Sequence, residues 1–493
     1  MPISTAIDAG AVARVVGIKT AFKKSDSGGT TFLPQRVAVI GQGATAATYS
    51  TTKAQFTSAD AVGAAYGYGS PVHLAARQLL PLNGDGLGAV PMTIYPLTDA
   101  VSSTAAAGAI TPTGSQTAAA TYVVKVGNVS SAPFNIPAGT AIAAACTAIA
   151  AAINAVLYMP VSATAGATSV TLTAKWKGTT GNGMPLVIES TGTGTLVMGI
   201  TNMTGGAVDP DITNTLNSFG EVWETMVLNC LGNTASLDAL QTFGEGRWGP
   251  LMRKPFVAFM GDTTVAVASA IKSRTTDRVN AQLTCPGSKD LPWVVAARQL
   301  ARIAKLANND PPHDYGGLPA DGISVGDDAQ QWLYNDRNTA VLGGCSTIEV
   351  RNSVATISDV VTFYRPAGDT LPPYRHVVDI VKLQNAIFNF DLQFKSLEWD
   401  GAPLIPDDQP TVNPTAKRPK DYRATCAAIV NNLALDAILS EPDVTNRNTL
   451  AEIDASNPKR VNVSVPIKIS GNSNITSLDL NWGFYFGGLT VGA

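Results

Sequence analysis

The sequence predicts an α/β core with an inserted β-rich α+β domain, an α+β C-terminal domain and extended β-arms at both ends. Three observations support this fold class. Short apolar runs alternate with amphipathic stretches in the body of the chain, as expected for a parallel sheet covered by helices. This alternation stops near residue 99 and resumes after residue 205. Both termini repeat apolar residues at every second position, which is the period of a half-buried strand.

The core elements follow in chain order. Residues 36–43 predict a buried strand ending in a glycine turn, and residues 72–80 and 91–97 predict a helix and a second strand. Beyond residue 205 the predicted elements are a helix at 216–222, a strand at 225–230, a helix at 236–243, a strand at 255–260 and a helix at 294–306. The core domain is therefore expected to be discontinuous, over residues 23–105 and 206–370.

Residues 106–205 predict an inserted outer domain. No charged residue occurs from residue 126 to residue 174, unlike the flanking chain. Strands are expected at 122–126 and 170–176. Thr140 is expected to cap a helix, because Thr is a favoured N-cap residue. The apolar stripe of this helix has helical spacing and comprises Ile142, Cys146, Ile149, Ile153 and Leu157. A domain with its own strands and helix fits an insertion into a surface loop.

The C-terminal domain is expected over residues 371–460, with longer strands and one helix at 422–439. Terminal strands or an arm are expected over 461–493, and an N-terminal arm over 1–22. Pro466 interrupts the C-terminal alternation and lacks an N–H for a ladder, which indicates an edge strand or a strand end. We expect the arms to pair between subunits. The predicted intersubunit strand residues are Val16, Ile18, Val461, Val463, Val465, Ile467 and Ile469.

Composition excludes several function classes. The 493 residues carry a net charge of −3, which predicts no direct nucleic-acid partner and no attraction to anionic membranes. The most apolar helical run, residues 142–157, is too short for membrane insertion. Charged residues make up only 14%, well below the usual roughly 25%, as is common on surfaces that other subunits cover. The start lacks signal-peptide features, and five scattered cysteines indicate reduced thiols in a cytosolic setting.

The sequence offers no catalytic constellation, cofactor site or metal site. The three histidines, His73, His313 and His376, have no zinc-like spacing. The turn Gly41-Gln42-Gly43 suggests a dinucleotide site, but position 46 is Ala46 where a third glycine would stand. The acidic pairs at 327–328 and 407–408 are expected to be solvated turns. A basic run could be a docking patch or a solvated helix entry, and it comprises Lys417, Arg418, Lys420 and Arg423.

Several segments, taken together and in order, resemble the Mu-like branch of the contractile phage tail sheath family. Residues 32–42 are similar to its first core strand, and residues 66–74 to the glycine-rich turn before its first helix. Residues 176–182 resemble the end of its inserted domain, and residues 455–461 the approach to its last strands. The motif Arg247-Trp248-Gly249-Pro250 matches the one after its second core helix. The family's core is called subtilisin-like for its topology, but no Asp/His/Ser triad maps onto this sequence.

The resemblance implies a structural subunit without enzymatic activity. It would polymerise as a helical tube around an inner tail tube and contract to drive that tube through the host envelope for genome ejection. Its arms would add strands to a small sheet of neighbouring subunits. The implied partners are further copies of the chain, the tail tube protein, the baseplate and the tail terminator or neck proteins. Assembly in the host cytoplasm and a place in the virion tail would follow. The basic run would face an acidic strip on the tube.

Two alternatives stay open from the sequence. The chain could form the sheath of a bacterial contractile injection particle, since the sheath physics is the same. It could instead be a cytosolic α/β oxidoreductase or hydrolase that uses the turn at Gly41, which predicts a bound cofactor and a monomer or closed oligomer.

Overall fold

The computed structural model describes residues 31–369, 372–480 and 482. The chain folds into two compact units. The larger unit contains residues 32–392 and continues again from residue 469, and the smaller unit contains residues 393–468. This division falls after residue 392, whereas the sequence placed the start of a C-terminal domain at residue 371. The predicted N-terminal arm at 1–22, with Val16 and Ile18, lies outside the described residues.

The bounds of the regular elements are as follows. The strands are β1 (Val37–Gln42), β2 (Ala54–Phe56), β3 (Met92–Leu97), β4 (Ala107–Thr113), β5 (Ala120–Val126), β6 (Val129–Ser130), β7 (Phe134–Ile136), β8 (Val161–Ala165), β9 (Val170–Ala174), β10 (Leu186–Gly192), β11 (Val197–Thr204), β12 (Met226–Asn229), β13 (Val257–Asp262), β14 (Asn280–Thr284), β15 (Cys345–Arg351), β16 (Val354–Asp359), β17 (Leu450–Ile453) and β18 (Val461–Ser464). The helices are α1 (Ala59–Tyr66), α2 (Pro71–Leu79), α3 (Ile142–Asn154), α4 (Thr213–Asn217), α5 (Thr234–Trp248), α6 (Val267–Ala270), α7 (Pro292–Asn309), α8 (Tyr334–Leu342), α9 (Val377–Phe394), α10 (Pro419–Leu435) and α11 (Pro442–Asn448).

An eight-stranded sheet forms the centre of the larger unit, in the order β16-β15-β14-β13-β12-β1-β3-β2. The strands from β15 to β3 in this order run parallel, and β16 and β2 are antiparallel edges. All residues of β1, β3 and β13 are buried. Strands covered on both faces read as continuous apolar runs, which is why these segments were predictable. The expected mixed α/β architecture with several sheets is confirmed.

Two smaller sheets are built only from residues 107–204. One has the order β10-β5-β6 with β7 beside β5, and the other has the order β11-β4-β9-β8. The chain enters and leaves this block side by side, because Thr104 and Ala207 form an antiparallel bridge. The expected helix is present as α3, but two details of its prediction were wrong. Thr140 donates its hydroxyl to the Pro137 carbonyl, so Ala141 is the N-cap residue. Leu157 lies beyond the helix end and is exposed.

The C-terminal region differs from the expectation of longer strands. Helix α9 occupies 18 residues of it, and α10 starts three residues before the predicted helix at 422. In this region the two described strands are β17 and β18, which form an antiparallel pair of four residues each. The predicted strand at 461–469 is therefore paired only as far as Ser464. Leu478 and Leu480, which fall within the predicted terminal stretch 461–493, are described and belong to no strand.

Candidate assembly surfaces

The β17–β18 hairpin is the first candidate assembly surface. Leu450 pairs with Ser464 and Ile453 with Val461. Its loop is fixed by Asp454, which accepts hydrogen bonds from the Ser456 hydroxyl and backbone N–H. These bonds hold the pKa of the Asp454 carboxyl well below its usual range. The loop falls in the segment 455–461 that resembles the sheath family. Its hydrogen bonds to Asp454 are local in sequence, so they fix the hairpin register.

This hairpin has outer strand edges without a strand partner, and it has exposed apolar side chains. Within the described residues, β17 and β18 pair only with each other. Leu450 and Val463 are exposed. Two strands alone are at best marginally stable in water, and an open strand edge is a template for a further strand. Val461 and Val463, predicted as intersubunit residues, are thus paired within their own chain. Their strand nevertheless keeps one edge without a strand partner.

The chain after β18 first follows the smaller unit. The Thr445 hydroxyl donates to the Pro466 carbonyl at 3.1 Å, and the Ser440 N–H donates to the Lys468 carbonyl at 2.8 Å. The other predicted intersubunit residues, Val465, Ile467 and Ile469, are half-buried in this stretch. None of them belongs to one of the described strands, so their pairing between subunits stays a prediction.

The chain after residue 472 is the second candidate assembly surface. The exposed fractions of four large apolar side chains are 87% for Ile475, 74% for Leu478, 73% for Leu480 and 85% for Trp482. Clusters of exposed apolar residues mark interaction sites in soluble proteins. Leu478, Leu480 and Trp482 also keep the two-residue spacing of one strand face. This segment has the chemistry of a strand that is completed by another molecule.

The basic run at the start of α10 is largely paired within the chain. Lys417 forms an ion pair with Glu398, and its ammonium also lies 4.5 Å from the centre of the Trp399 ring. Arg423 is 2.9 Å from the Asp407 carboxylate and donates to the Ala451 carbonyl at 3.2 Å. Asp407, predicted to be a solvated turn residue, is thus an ion-pair partner. The positive charge of both basic residues is locally neutralised.

The other two basic residues are less strongly engaged. The Arg418 guanidinium donates to the Gln409 carbonyl at 3.1 Å. The Lys420 ammonium approaches only a backbone carbonyl, that of Asp407, at 3.5 Å, and Lys420 is exposed. Lys420 is therefore the member of the run that keeps most of its charge available. The role of all four residues in docking stays a prediction.

The glycine turn after β1 does not have the arrangement that a dinucleotide needs. A Cβ on Gly43 would stand 2.4 Å from the Tyr49 ring, and the Gly43 N–H donates to the Tyr49 hydroxyl. Tyr49 thus fills the space beside the turn. The next helix, α1, starts only at Ala59, so no helix N-terminus follows the turn directly. A dinucleotide pyrophosphate is bound at such a terminus.

The carboxyl edge of the parallel sheet holds a cavity of about 350 Å³. Asn229, Asp290 and Trp293 are among its lining residues. Ser324 donates both its backbone N–H and its hydroxyl to the Asp290 carboxylate, and burial raises the pKa of Asp290. No histidine is among the described residues that line this cavity. The described chain contains no group of side chains with the composition of a metal site.

Of the three histidines, His73 has a structural role in the turn before α2. His73 Nδ1 accepts a hydrogen bond from the Gly69 N–H at 3.0 Å. Burial, with a smaller effect of Arg77, lowers the pKa of His73 to about 4. His73 is therefore neutral at neutral pH and holds the turn before α2. Among the described helices, none has the length and apolarity required to cross a membrane.

Sequence comparison relates the chain to one known protein along most of its length. It is similar to the Mu-like prophage FluMu tail sheath protein of Haemophilus influenzae, with 26% identity over 384 residues. These residues cover 75% of this chain and 77% of that protein. The chain is thus similar to a Mu-like tail sheath protein along most of its length. This finding confirms the resemblance that the sequence motifs indicated. No protein-family model matches the chain.

Solved structures of sheath proteins are also similar to the chain. The sheath tail protein of Desulfitobacterium hafniense is 10% identical, with 89% of this chain and 94% of that chain covered and a TM-score of 0.47. The sheath tail protein of Listeria innocua is 12% identical, with 90% and 94% covered and a TM-score of 0.48. A chain of the anti-feeding prophage baseplate in its contracted state is 7% identical, with 95% and 99% covered and a TM-score of 0.49.

Proposed function

We propose that this chain is the structural subunit of a contractile tail sheath. The similarity to a tail sheath protein over three quarters of both chains carries this proposal. The open hairpin β17–β18 and the exposed apolar segment after residue 472 support it, because a polymer subunit needs surfaces that only its neighbours complete. In this role the subunits form a helical tube around an inner tail tube. Contraction of this sheath drives the inner tube through the host envelope.

The C-terminal segment and the hairpin supply the two halves of a contact between copies. An extended segment with Leu478, Leu480 and Trp482 on one face adds to the free edge of β18 in a neighbouring copy. A contact between two different surfaces does not close on itself, so its repetition produces a helix. Contraction then rotates folded bodies rigidly while the strand pairings persist as hinges. The energy for this motion comes from an extended lattice that is kinetically trapped.

The remaining partners follow from this role. The inner tube protein contacts the bore, and the baseplate and the terminator or neck proteins contact the two ends. The particle is assembled in the host cytoplasm and becomes a virion tail. A role in catalysis is not required for any of these contacts.

Negative-stain microscopy of the purified chain tests the proposal directly. Tubes of uniform width are expected, because the subunit contains both halves of the proposed contact. Discrete particles that carry a bound cofactor would instead support the cytosolic oxidoreductase or hydrolase. A sheath around a tube that encloses no DNA would support the bacterial injection particle.

We further propose that the basic run contacts an acidic strip on the inner tube. Contacts that are individually weak become strong when they are repeated along a lattice. Lys420→Glu is the sharpest test, because Lys420 is exposed and its ammonium hydrogen-bonds to a backbone carbonyl and not to a carboxylate. The expected result is sheath that forms only in the contracted state, with empty bores. Lys289→Glu, at an exposed lysine before α7, is the matched control. Normal yields of tube-filled tails with Lys420→Glu would show that this run is not the docking surface.

A further inference from the structure

One turn of α9 contains three polar side chains that are completely buried. Lys382, Gln384 and Asn385 each have an exposed fraction of 0%. They lie on the buried face of the helix, whose other buried positions are Val377, Val378, Ile380, Val381 and Ala386. Burying a polar group costs free energy unless it is hydrogen-bonded, and burying a charge costs more. Each of these side chains must therefore have partners, and the identity of those partners carries the inference.

Lys382 binds the start of the C-terminal segment. Its ammonium donates to the Ser470 carbonyl at 2.7 Å and to Asn472 Oδ1 at 2.5 Å, and it lies 3.4 Å from Asp379 Oδ1. An ammonium has three donors, and these contacts use all three. The Asn472 amide in turn donates to the Pro312 carbonyl at 2.8 Å. The chain is therefore held at residues 470–472, immediately before the exposed apolar stretch.

Asn385 binds the chain at the other end. Its Oδ1 accepts a hydrogen bond from the Leu33 N–H at 2.8 Å, and its amide donates to the Val381 carbonyl within the helix. Leu33 is buried and precedes β1 by four residues. Asn385 therefore fixes the described chain at Leu33, just before β1.

Gln384 attaches the same helical turn to the central sheet. Its amide donates to the Pro255 carbonyl at 3.0 Å, two residues before β13. The turn that binds both chain ends is consequently fixed to the amino edge of the parallel sheet. Residues three apart lie on neighbouring positions of one helix face, so Lys382 and Asn385 are about one helical turn apart.

We propose that this turn of α9 anchors both terminal segments and sets the distance between the points where they leave the body. The partners of those segments are further copies of this chain, so this consequence depends on the proposed sheath function. In a lattice, displacement of one arm is transmitted to the other arm through a single helical turn, without deforming the sheet. Lys382 and Asn385 act as positioning residues, and their own contacts exist in the unassembled chain.

Trypsin cleavage of the full-length, unassembled chain tests the C-terminal anchor. No lysine or arginine follows Lys468, so cleavage there releases residues 469–493 as one peptide. Lys382→Met and Asn472→Ala are each expected to raise the rate of this cleavage about tenfold. Cleavage after Arg460, in the exposed hairpin loop, is the internal reference. Lys305→Met, at a half-buried lysine paired with Asp85, is the matched control and should leave the rate unchanged.

Hydrogen exchange of the same proteins tests the N-terminal anchor and the fold. Asn385→Leu should accelerate exchange of the Leu33 amide about tenfold and leave exchange in β1 unchanged. If Lys382→Met also loosens β1, Asn472→Ala decides the question, since it changes only the bound segment. Wild-type cleavage after Lys468 in a folded Asn472→Ala protein would overturn the proposal. That result would leave the sheath function intact, because tube formation is measured separately.

Discussion

Replacing residues 106–205 with a short Gly/Ser linker should leave the rest of the chain, here called the body, able to form tubes. The two ends of this block already meet, because Thr104 and Ala207 exchange backbone hydrogen bonds of 3.1 and 3.2 Å. Closing a loop between ends in contact has a small entropic cost that grows slowly with length. The eight strands of the central sheet all lie outside the block. The deletion therefore removes no strand from the body.

The cost of the deletion arises where the block packs on the body. Trp176 is fully buried, and its ring meets the Trp293 ring edge-on with 5.6 Å between the centres. Trp293 is only 3% exposed in the intact chain. If the deletion uncovers about 100 Å² of it, roughly half of what an aromatic residue buries, the loss is about 2.5 kcal/mol. That is a noticeable fraction of the roughly 5–15 kcal/mol that stabilises a folded domain.

The assay combines thermal unfolding with negative-stain microscopy. Trp176→Ala in the full-length chain is the matched control, because it disturbs the same contact without removing the block. Its expected cost is about 3–5 kcal/mol, as for other buried Trp→Ala changes. Both variants should form tubes at a temperature where they are folded. A folded deletion variant that forms no tubes, beside a Trp176→Ala protein that does, would refute the reasoning and place the block at a lattice contact.

Three further predictions concern assembly, pH and thiol chemistry. Chains that end near Ser473, which keep the Ser470 and Asn472 partners of the buried Lys382, or that start near Thr20 should keep the melting transition of the body but fail to polymerise. Long tubes from either truncation would contradict this. Because the pKa of His73 is lowered to about 4 from 6.5, its contribution to stability is complete above pH 6.5 and is lost as the pH falls through 4. The loss should reach roughly 3 kcal/mol in denaturant titrations and disappear in His73→Gln. Burial raises the pKa of Cys285 and Cys345 to about 12, so iodoacetamide at neutral pH should label them only after unfolding, as counted by mass spectrometry.

The strands that could be predicted are those with a continuous apolar run, which indicates that both faces of the strand are buried. The apolar runs at 36–43 and 255–260 became β1 and β13 within two residues. Strand β14 was missed because polar residues interrupt it, although every one of its residues is buried. The Asn280 amide donates to the Leu237 carbonyl, and the Gln282 amide donates to the Ala270 carbonyl. Those partners lie outside the strand, so the composition of β14 gives no sign that these two amide N–H groups are hydrogen-bonded.

Helix α9 was missed for the same reason. The helical spacing of its apolar residues is obscured by Lys382, Gln384 and Asn385. From sequence alone, these polar residues would be predicted to be exposed to solvent. Besides any neighbours within the helix, each of them has a partner that lies between 88 and 352 residues away along the chain. In the C-terminal stretch, Pro466 was predicted to mark an edge strand or a strand end, because it has no N–H to donate. No strand continues as far as Pro466. The pairing stops earlier, at Ser464, because the following residues bind the loop and helix between Ser440 and Thr445.

The basic run illustrates what the sequence cannot reveal about a charged surface. Its partners, Glu398 and Asp407, lie 19 and 16 residues before Lys417 and Arg423 in a loop without regular structure. The Arg423–Asp407 pair is partly exposed, and such ion pairs add little to stability, so an acidic surface can replace Asp407 at small cost. Lys417 is buried, so this argument does not extend to its pair with Glu398. A docking patch built this way is shielded in the free subunit and available to a repeated partner. Asp407→Asn should therefore strengthen binding to an acidic tube if the run docks there, whereas a solvated helix entry would show no change.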